Sequence, residues 1–127
     1  MASTDHSLKS KVALVTGGAR RIGAAIARTL HAQDMNIVIH YRRSAGDAQS
    51  LSDALNAERP GSVELVKGNL ENTQDCSRLA QRAIEVFGRI DVLINNASAF
   101  FPTPVGEVTQ AHWETLLGVN LKAPFFI

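Results

Sequence analysis

Four short runs of Val, Ile and Leu, "VALV", "NIVIH", "VELV" and "DVLI", recur along the chain with segments of helical period between them. That alternation constrains the fold more than any other feature. Strands of this composition joined by helices of a dozen residues or more pair in parallel through right-handed crossovers, and both faces of their sheet are covered. The expected fold is a doubly wound α/β sheet.

Period and punctuation give the elements. The strand in "KVALVTG" leads to a helix with Ile22, Ile26 and Leu30 at helical spacing. "NIVIHYRRS" is a second strand, and the helix after it is stopped by Pro60 and Gly61. "SVELVKGN" is a third. The next helix is expected to start at Thr73 as N-cap, to bury Leu79, Ala80, Ala83, Ile84 and Phe87, and to end at Gly88. "RIDVLINNAS" is the fourth strand, and after "FFPTPVGE" another helix begins at Thr109. The sheet is expected to stop there, with residues 1–10 as a loose tail and residues 11–127 as part of a single dinucleotide-binding domain. The chain runs out inside the apolar "APFFI", an expectation of a longer parent enzyme.

Composition narrows the function. A net charge of +1 in 127 residues offers no global field for nucleic acid or an anionic membrane, so any anion site is local. Cys76 is the single cysteine, and the opening "MASTDHSLKSK" has no apolar signal-peptide core; both point to a reducing, cytoplasmic setting. No apolar run approaches the roughly 20 residues of a membrane span. His6, His31, His40 and His112 show no metal-ligand spacing, and no metal is expected.

In a doubly wound sheet the ligand lies beyond the carboxyl ends of the strands, where the winding reverses. Four segments reach that edge: Thr16 to Gly23, His40 to Ser44, Gly68 to Leu70, and Asn95 to Pro104. The first, "TGGARRIG", fits Gly-x4-Gly, but a P-loop requires Lys and then Ser or Thr next, where Ala24 and Ala25 stand. A dinucleotide loop fits better, with Gly17 for the tight turn, Gly18 and Ala19 for close backbone approach, and Gly23 for helix packing. The helix N-terminus would face the pyrophosphate. Glycines that only shape a βα turn are the alternative.

The cofactor is chosen at the end of the second strand, where NAD-binding chains carry an acid for the ribose 2'-hydroxyl. Here stand His40, Tyr41, Arg42, Arg43 and Ser44, and the first acid is Asp47. Arginines in that place, with Arg20 converging from the neighbouring loop, suit a 2'-phosphate and hence NADPH. A solvated strand end is the alternative for Arg42 and Arg43.

"TGGARRIG", "NNAS" and "VNL" resemble the short-chain dehydrogenase/reductase superfamily from about Lys11 to the last residue, which implies a Rossmann-type fold. Arg21 replaces the middle glycine of the superfamily's loop. With "HYRRS" and "NNASAFFPTP", that departure is similar to the pteridine reductases. The resemblance implies that Arg20 serves the 2'-phosphate and that Arg21 reaches the cofactor phosphates and a bound pterin. It also implies that Ser98 bonds the pterin or a phosphate and that Phe100 stacks on the pterin. Loop packing is the alternative for Phe100 and Phe101. Gly17, Ile22, Gly23, Leu70, Ala97 and the segment His40 to Ser44 complete the implied cofactor contacts. Asn69 takes the place of an Asp that contacts adenine. Asn95 and Asn96 are expected to brace strand ends and to line the cofactor channel. Asn120 matches the Asn that holds a water in the superfamily's proton relay, or else satisfies a helix bulge. Trp113 is expected in helix packing or a subunit contact.

The superfamily's acid, a Tyr with a Lys four residues on, has no counterpart in this sequence: its one Tyr is Tyr41, and position 45 is Ala. Three readings stay open: an NADPH-dependent pterin reductase acting as part of a longer chain, an NADPH-dependent carbonyl or 3-oxoacyl reductase, and a non-catalytic nucleotide-binding module. The first implies a small pterin-like substrate and, by resemblance, a homotetramer.

Overall fold

A computed structural model of the chain describes residues 7–127. The sheet has four parallel strands, β1 (Val12–Val15), β2 (Asn36–Tyr41), β3 (Val63–Lys67) and β4 (Val92–Ile94), in the order β3-β2-β1-β4. The helices α1 (Arg21–Ala32), α2 (Ala45–Glu58) and α3 (Thr73–Phe87) connect them. After β4 come α4 (Gln110–Leu117), a π-helical turn (Gly118–Lys122) and the short α5 (Ala123–Phe126). This is the doubly wound architecture that the strand and helix alternation predicts.

The central strands are buried on both faces, and each face belongs to a separate core. Ala13, Val15, Ile37 and Ile39 pack with Ala27 of α1 and Leu51 and Leu55 of α2. Val12, Leu14 and Val38 pack on the other side with Cys76, Leu79 and Ala83 of α3. Register is tight: Val12 to Val15 pair with Asn36 to Ile39, and Ala13 to Val15 with Val92 to Ile94.

Several expectations move by a residue or a turn. Of the expected tail, residues 1–6 lie outside the described residues. Leu8 packs against the core, and the Ser10 N–H donates to the Asp34 carbonyl, so the chain is tied down before β1 begins. The face of α1 nearest the sheet is Gly23, Ala27 and His31, and Ile22 is 71% exposed. At Gly23 and Ala27 the helix lies too close to the strands for a large side chain, so Ile26 and Leu30 pack from the flank. The cap of α3 is Asn72, whose Oδ1 accepts from the N–H groups of Gln74 and Asp75; Thr73 is already helical. Cys76 joins the buried stripe of that helix as a small apolar residue, and Ile84 turns outward, 53% exposed. Gly88 closes the helix in the left-handed conformation.

At the amino ends of the strands one polar network ties α1, α2 and β3 together. Buried His31 has its Nε2 2.7 Å from Ser62 Oγ. Asn56 Oδ1 accepts from the N–H groups of Ser62 and Val63, and Arg59 donates to the carbonyls of His31 and Met35. Burial lowers the His31 pKa, Arg59 lowers it further, and Glu58 and Asp34 oppose. The unfolded chain therefore binds a proton that the folded chain resists. This contribution to stability is complete above the unfolded value of about 6.5 and is lost as pH falls through it toward the lower folded value. Urea unfolding at pH 7.5 and 5.5 should show the loss, and His31→Gln should make it shallower.

Candidate nucleotide-binding site

The winding reverses between β1 and β4, which are neighbours in the sheet although β2 and β3 separate them in sequence. A cleft of about 490 Å3 opens at that point, beyond the carboxyl ends of the strands. Its walls are the glycine loop with Gly17, Arg20, Arg21, Ile22 and Gly23, and the end of β2 with His40 and Arg42. Opposite them stand Asn69 and Leu70 after β3, Asn96, Ala97 and Ser98 after β4, and Val119 of the π-helical turn. A smaller recess of about 250 Å3 beside the same loop is lined by Tyr41, Arg43 and Ser44, together with Arg20 and Arg42. The four segments that the sequence singles out thus meet in one place.

Two side chains seam the loop to β4. Buried Thr16 accepts at its Oγ1 from the N–H groups of Asn96 and Ala97, both at 3.0 Å. Asn96 returns its Nδ2 to the carbonyls of Thr16 and Gly17, at 3.1 and 3.0 Å. Asn96 therefore braces the strand ends as expected, whereas Asn95 is exposed. The seam leaves no room for a side chain: a Cβ on Gly23 would lie 2.1 Å from the Gly17 oxygen, and one on Gly17, at φ +59°, 3.0 Å from Ala97 Cα.

The residues fit a dinucleotide phosphate. α1 begins at Arg20 without any side-chain cap, so its first-turn N–H groups and the positive end of its dipole stay available to an anion. Arg21, at the first position of the helix, has φ +51°. That left-handed conformation costs a non-glycine residue about 1–2 kcal/mol, and it sits on the cleft wall where backbone strain collects at functional sites.

The arginines divide by partner. Arg20 pairs with Asp47 at 3.2 Å and Arg42 with Glu71 at 3.4 Å, while Arg21 and Arg43 have no ion-pair partner among the described residues. Glu71 also accepts from Thr115 Oγ1 at 2.8 Å, and its carbonyl accepts from Lys122 Nζ. Arg42 is thereby linked to α4 and the π-helical turn.

Other site residues take places that the sequence does not reveal. His40 is 3% exposed. Its Nδ1 accepts from the Gly17 N–H at 3.0 Å, and its Nε2 lies 2.9 Å from the Gly68 carbonyl. Its ring is therefore engaged with the protein backbone. Asn69 Oδ1 accepts from the Glu71 N–H within its own turn. Phe100 is 89% exposed and lies outside both the cleft and the recess. Phe101 instead packs on His112, with ring centroids 5.1 Å apart. Asn120 accepts from the Ala99 N–H and donates to the Ala99 carbonyl, each at 2.9 Å. It lies inside the π-helical turn, and its amide is occupied by the backbone of the loop after β4 and not by that of the turn itself. Trp113 is 63% exposed and belongs to neither core cluster. Among the described residues no group of three or more His, Cys, Asp or Glu could hold a metal, and no helix is long and apolar enough to cross a membrane.

The Thr16 clamp and the His40 bridge are missed by sequence reasoning. A polar residue inside or just after an apolar strand is the available signal, because a buried polar group requires partners.

Two substitutions test the geometry. Gly23→Ala should destabilise the fold by about 3 kcal/mol, since the neighbour it meets is backbone that cannot swing away. Arg21→Gly should stabilise it by about 0.5–1 kcal/mol by relieving the left-handed conformation. Denaturant melts measure both, and a destabilised Arg21→Gly would mean that the arginine's contacts outweigh its strain.

Comparison with known proteins agrees with this geometry. Residues 11–127 match the short chain dehydrogenase family. Pteridine reductase 1 of Leishmania tarentolae is 38% identical over 91% of this chain and 51% of its own length. A hydroxynaphthalene reductase-like protein, Arp2 of Metarhizium anisopliae, is 34% identical over 98% of this chain and 46% of its own. An uncharacterized oxidoreductase of Methylorubrum extorquens is 33% identical over 90% and 46%. The chain spans about half the length of these curated relatives. By its fold, its glycine loop and this match along nearly all of its length, the chain belongs to the short-chain dehydrogenase/reductase family.

Proposed function

We propose that this chain is the nucleotide-binding part of an NADPH-dependent reductase that delivers hydride to a pterin-type ring. One observation carries the cofactor choice. The recess at the end of β2 is walled by Arg20, Arg42 and Arg43 without a carboxylate, and the acids that reach these arginines, Asp47 and Glu71, are paired with Arg20 and Arg42. A 2'-phosphate there meets cations, two of them held in exposed or half-exposed pairs that a dianion can rearrange at little cost. When bound, NADPH supplies the hydride. Gly17, Gly23 and the first turn of α1 would hold its pyrophosphate, Ala97 and Ser98, just after β4, would line its path, and Arg21 would reach toward the substrate.

The pterin assignment rests on Arg21 in place of a glycine and on the likeness to a pteridine reductase. A second reading, a carbonyl, 3-oxoacyl or hydroxynaphthalene-type reductase, is favoured by Phe100, which stands outside the cleft. Stacking on a pterin would require the loop after β4 to fold inward. A third reading keeps nucleotide binding alone, without turnover. Assembly as a homotetramer in a reducing cytoplasm belongs to the first reading, and the buried free thiol of Cys76 suits that compartment.

The cofactor is tested by titrating NADPH and NADH against the wild type and the double variant Arg20→Ala, Arg43→Ala. Each charge-assisted bond is worth about 1.5–3 kcal/mol, so NADPH affinity should fall at least about a hundredfold while NADH affinity stays within threefold. Equal losses would sink the assignment. The substrate is tested by NADPH oxidation in the full-length parent with dihydropterin, dihydrofolate and a simple ketone. Turnover of the ketone alone would favour the second reading, and tight binding without turnover the third.

A further inference from the structure

His40 follows the apolar run Ile37–Ile39 of β2, and its ring spans the cleft from one wall to the other. The Gly17 N–H donates to Nδ1 at 3.0 Å. An amide can only donate, so Nδ1 carries a lone pair and Nε2 carries the proton, which it gives to the Gly68 carbonyl at 2.9 Å. Gly17 is the pivot of the glycine loop, and Gly68 begins the turn that carries Asn69 and Leu70. The backbone around the ring is also tied down, because the Gly18 N–H donates to the His40 carbonyl and the Gly68 N–H to the Tyr41 carbonyl. The ring therefore adds a side-chain tie from wall to wall beside these backbone bonds.

We propose that His40 is a positioning residue for the nucleotide: its neutral ring, protonated only at Nε2, holds the glycine loop and the β3–α3 turn at the separation that the cofactor needs. This rests on the reading of the cleft as an NADPH site. Protonating Nδ1 would set two donors face to face and break the Gly17 bond, loosening the loop on that side while the Thr16 and Asn96 bonds remain. Desolvation by burial lowers the pKa of the ring and keeps it neutral; the hydrogen bond to Gly68 and the charge of Asp75 on α3 favour the cation and are outweighed. The loop is thus held at neutral pH and loosened on acidification.

Two readouts test this. The first needs no ligand: ring ¹⁵N shifts and Gly17 amide exchange between pH 8 and 5. The ring should show the Nε2–H tautomer at pH 7.5, and Gly17 protection should fall as Nδ1 takes a proton. The opposite tautomer, or protection indifferent to the ring's charge, overturns the proposal.

The second readout is NADPH affinity against pH, followed by cofactor fluorescence in the wild type and two variants. In His40→Asn the amide oxygen replaces Nδ1 as the acceptor without titrating, and in His40→Gln only the donor to Gly68 is replaced. His40→Asn and His40→Gln each keep one of the two bonds and lose the other, and each should bind about tenfold more weakly than the wild type at pH 7.5, as for one lost hydrogen bond. Between pH 7.5 and 5.5 the wild type should lose more affinity than His40→Asn. The 2'-phosphate itself takes a proton near pH 6, and the two proteins share that loss. Matching pH profiles, or wild-type affinity in His40→Gln, overturn the strut and leave the cofactor reading intact. Absence of NADPH binding at every pH, with the Gly17 amide still following the ring, overturns the cofactor reading and the role in positioning it. If a variant fails to fold, the wild-type amide titration still decides.

Discussion

The site depends on the distance between α1 and the end of β1. Gly23 lies so close to the Gly17 carbonyl that no other residue fits, and this contact aims the first turn of α1 at the crevice between β1 and β4. Thr16 and Asn96 hold the arrangement from the other side, exchanging hydrogen bonds across the switch point of the sheet. A glycine loop on an unsupported turn would sample many conformations. Here four bonds and one close contact fix it, which reduces the ordering entropy left to be lost when an anion binds.

Charge is added to this scaffold as a set of exchangeable pairs. Arg20 and Asp47 are more than half exposed, and Arg42 is 41% exposed beside Glu71. Pairs in such surroundings contribute little to stability, so replacing a carboxylate by a phosphate dianion costs the fold little. Arg43 has no such partner among the described residues, which makes it the ready cation of the recess. Asp47 and Glu71 keep the other two guanidinium groups in place meanwhile and prevent a dense positive patch from repelling itself.

Much of the fold is legible in the sequence because the strands are apolar runs of the right length and the helices between them end at Pro60, Gly61 and Gly88. The errors share a cause. Ile22, Ile26 and Leu30 have the right period for a core face, yet the actual face carries Gly23 and Ala27, because closeness to the sheet, a tertiary demand, overrides hydrophobicity. Asn72 and Thr73 are both plausible caps, and only the backbone decides that Asn72 turns its carbonyl oxygen onto Gln74 and Asp75. Of the site, the segments are legible because each carries Gly, Asn, Ser or Arg at a strand end. The partners of those residues are not: His40 reads as a cofactor contact, and its bonds to Gly17 and Gly68 join residues far apart in the chain.

The loop after β4 shows how a helix defect can serve a site. An ordinary α-helix from Gln110 onward would place its side chains at regular intervals without reference to the loop beside it. The π-helical turn at Gly118–Lys122 is accompanied by Asn120 bonded to both backbone groups of Ala99, as a strand partner would be. Ala99 follows Ser98 and precedes Phe100, so this clamp fixes one side of the loop and leaves the exposed Phe100 ring beyond it. Lys122 closes the same region by donating to the Glu71 carbonyl, and Glu71 reaches Arg42. Through Ala99, Asn120, Lys122, Glu71 and Arg42, the end of β4 is joined to the end of β2 by contacts that avoid the glycine loop. The cleft is thus framed twice, by His40 across it and by this chain of contacts around its rim.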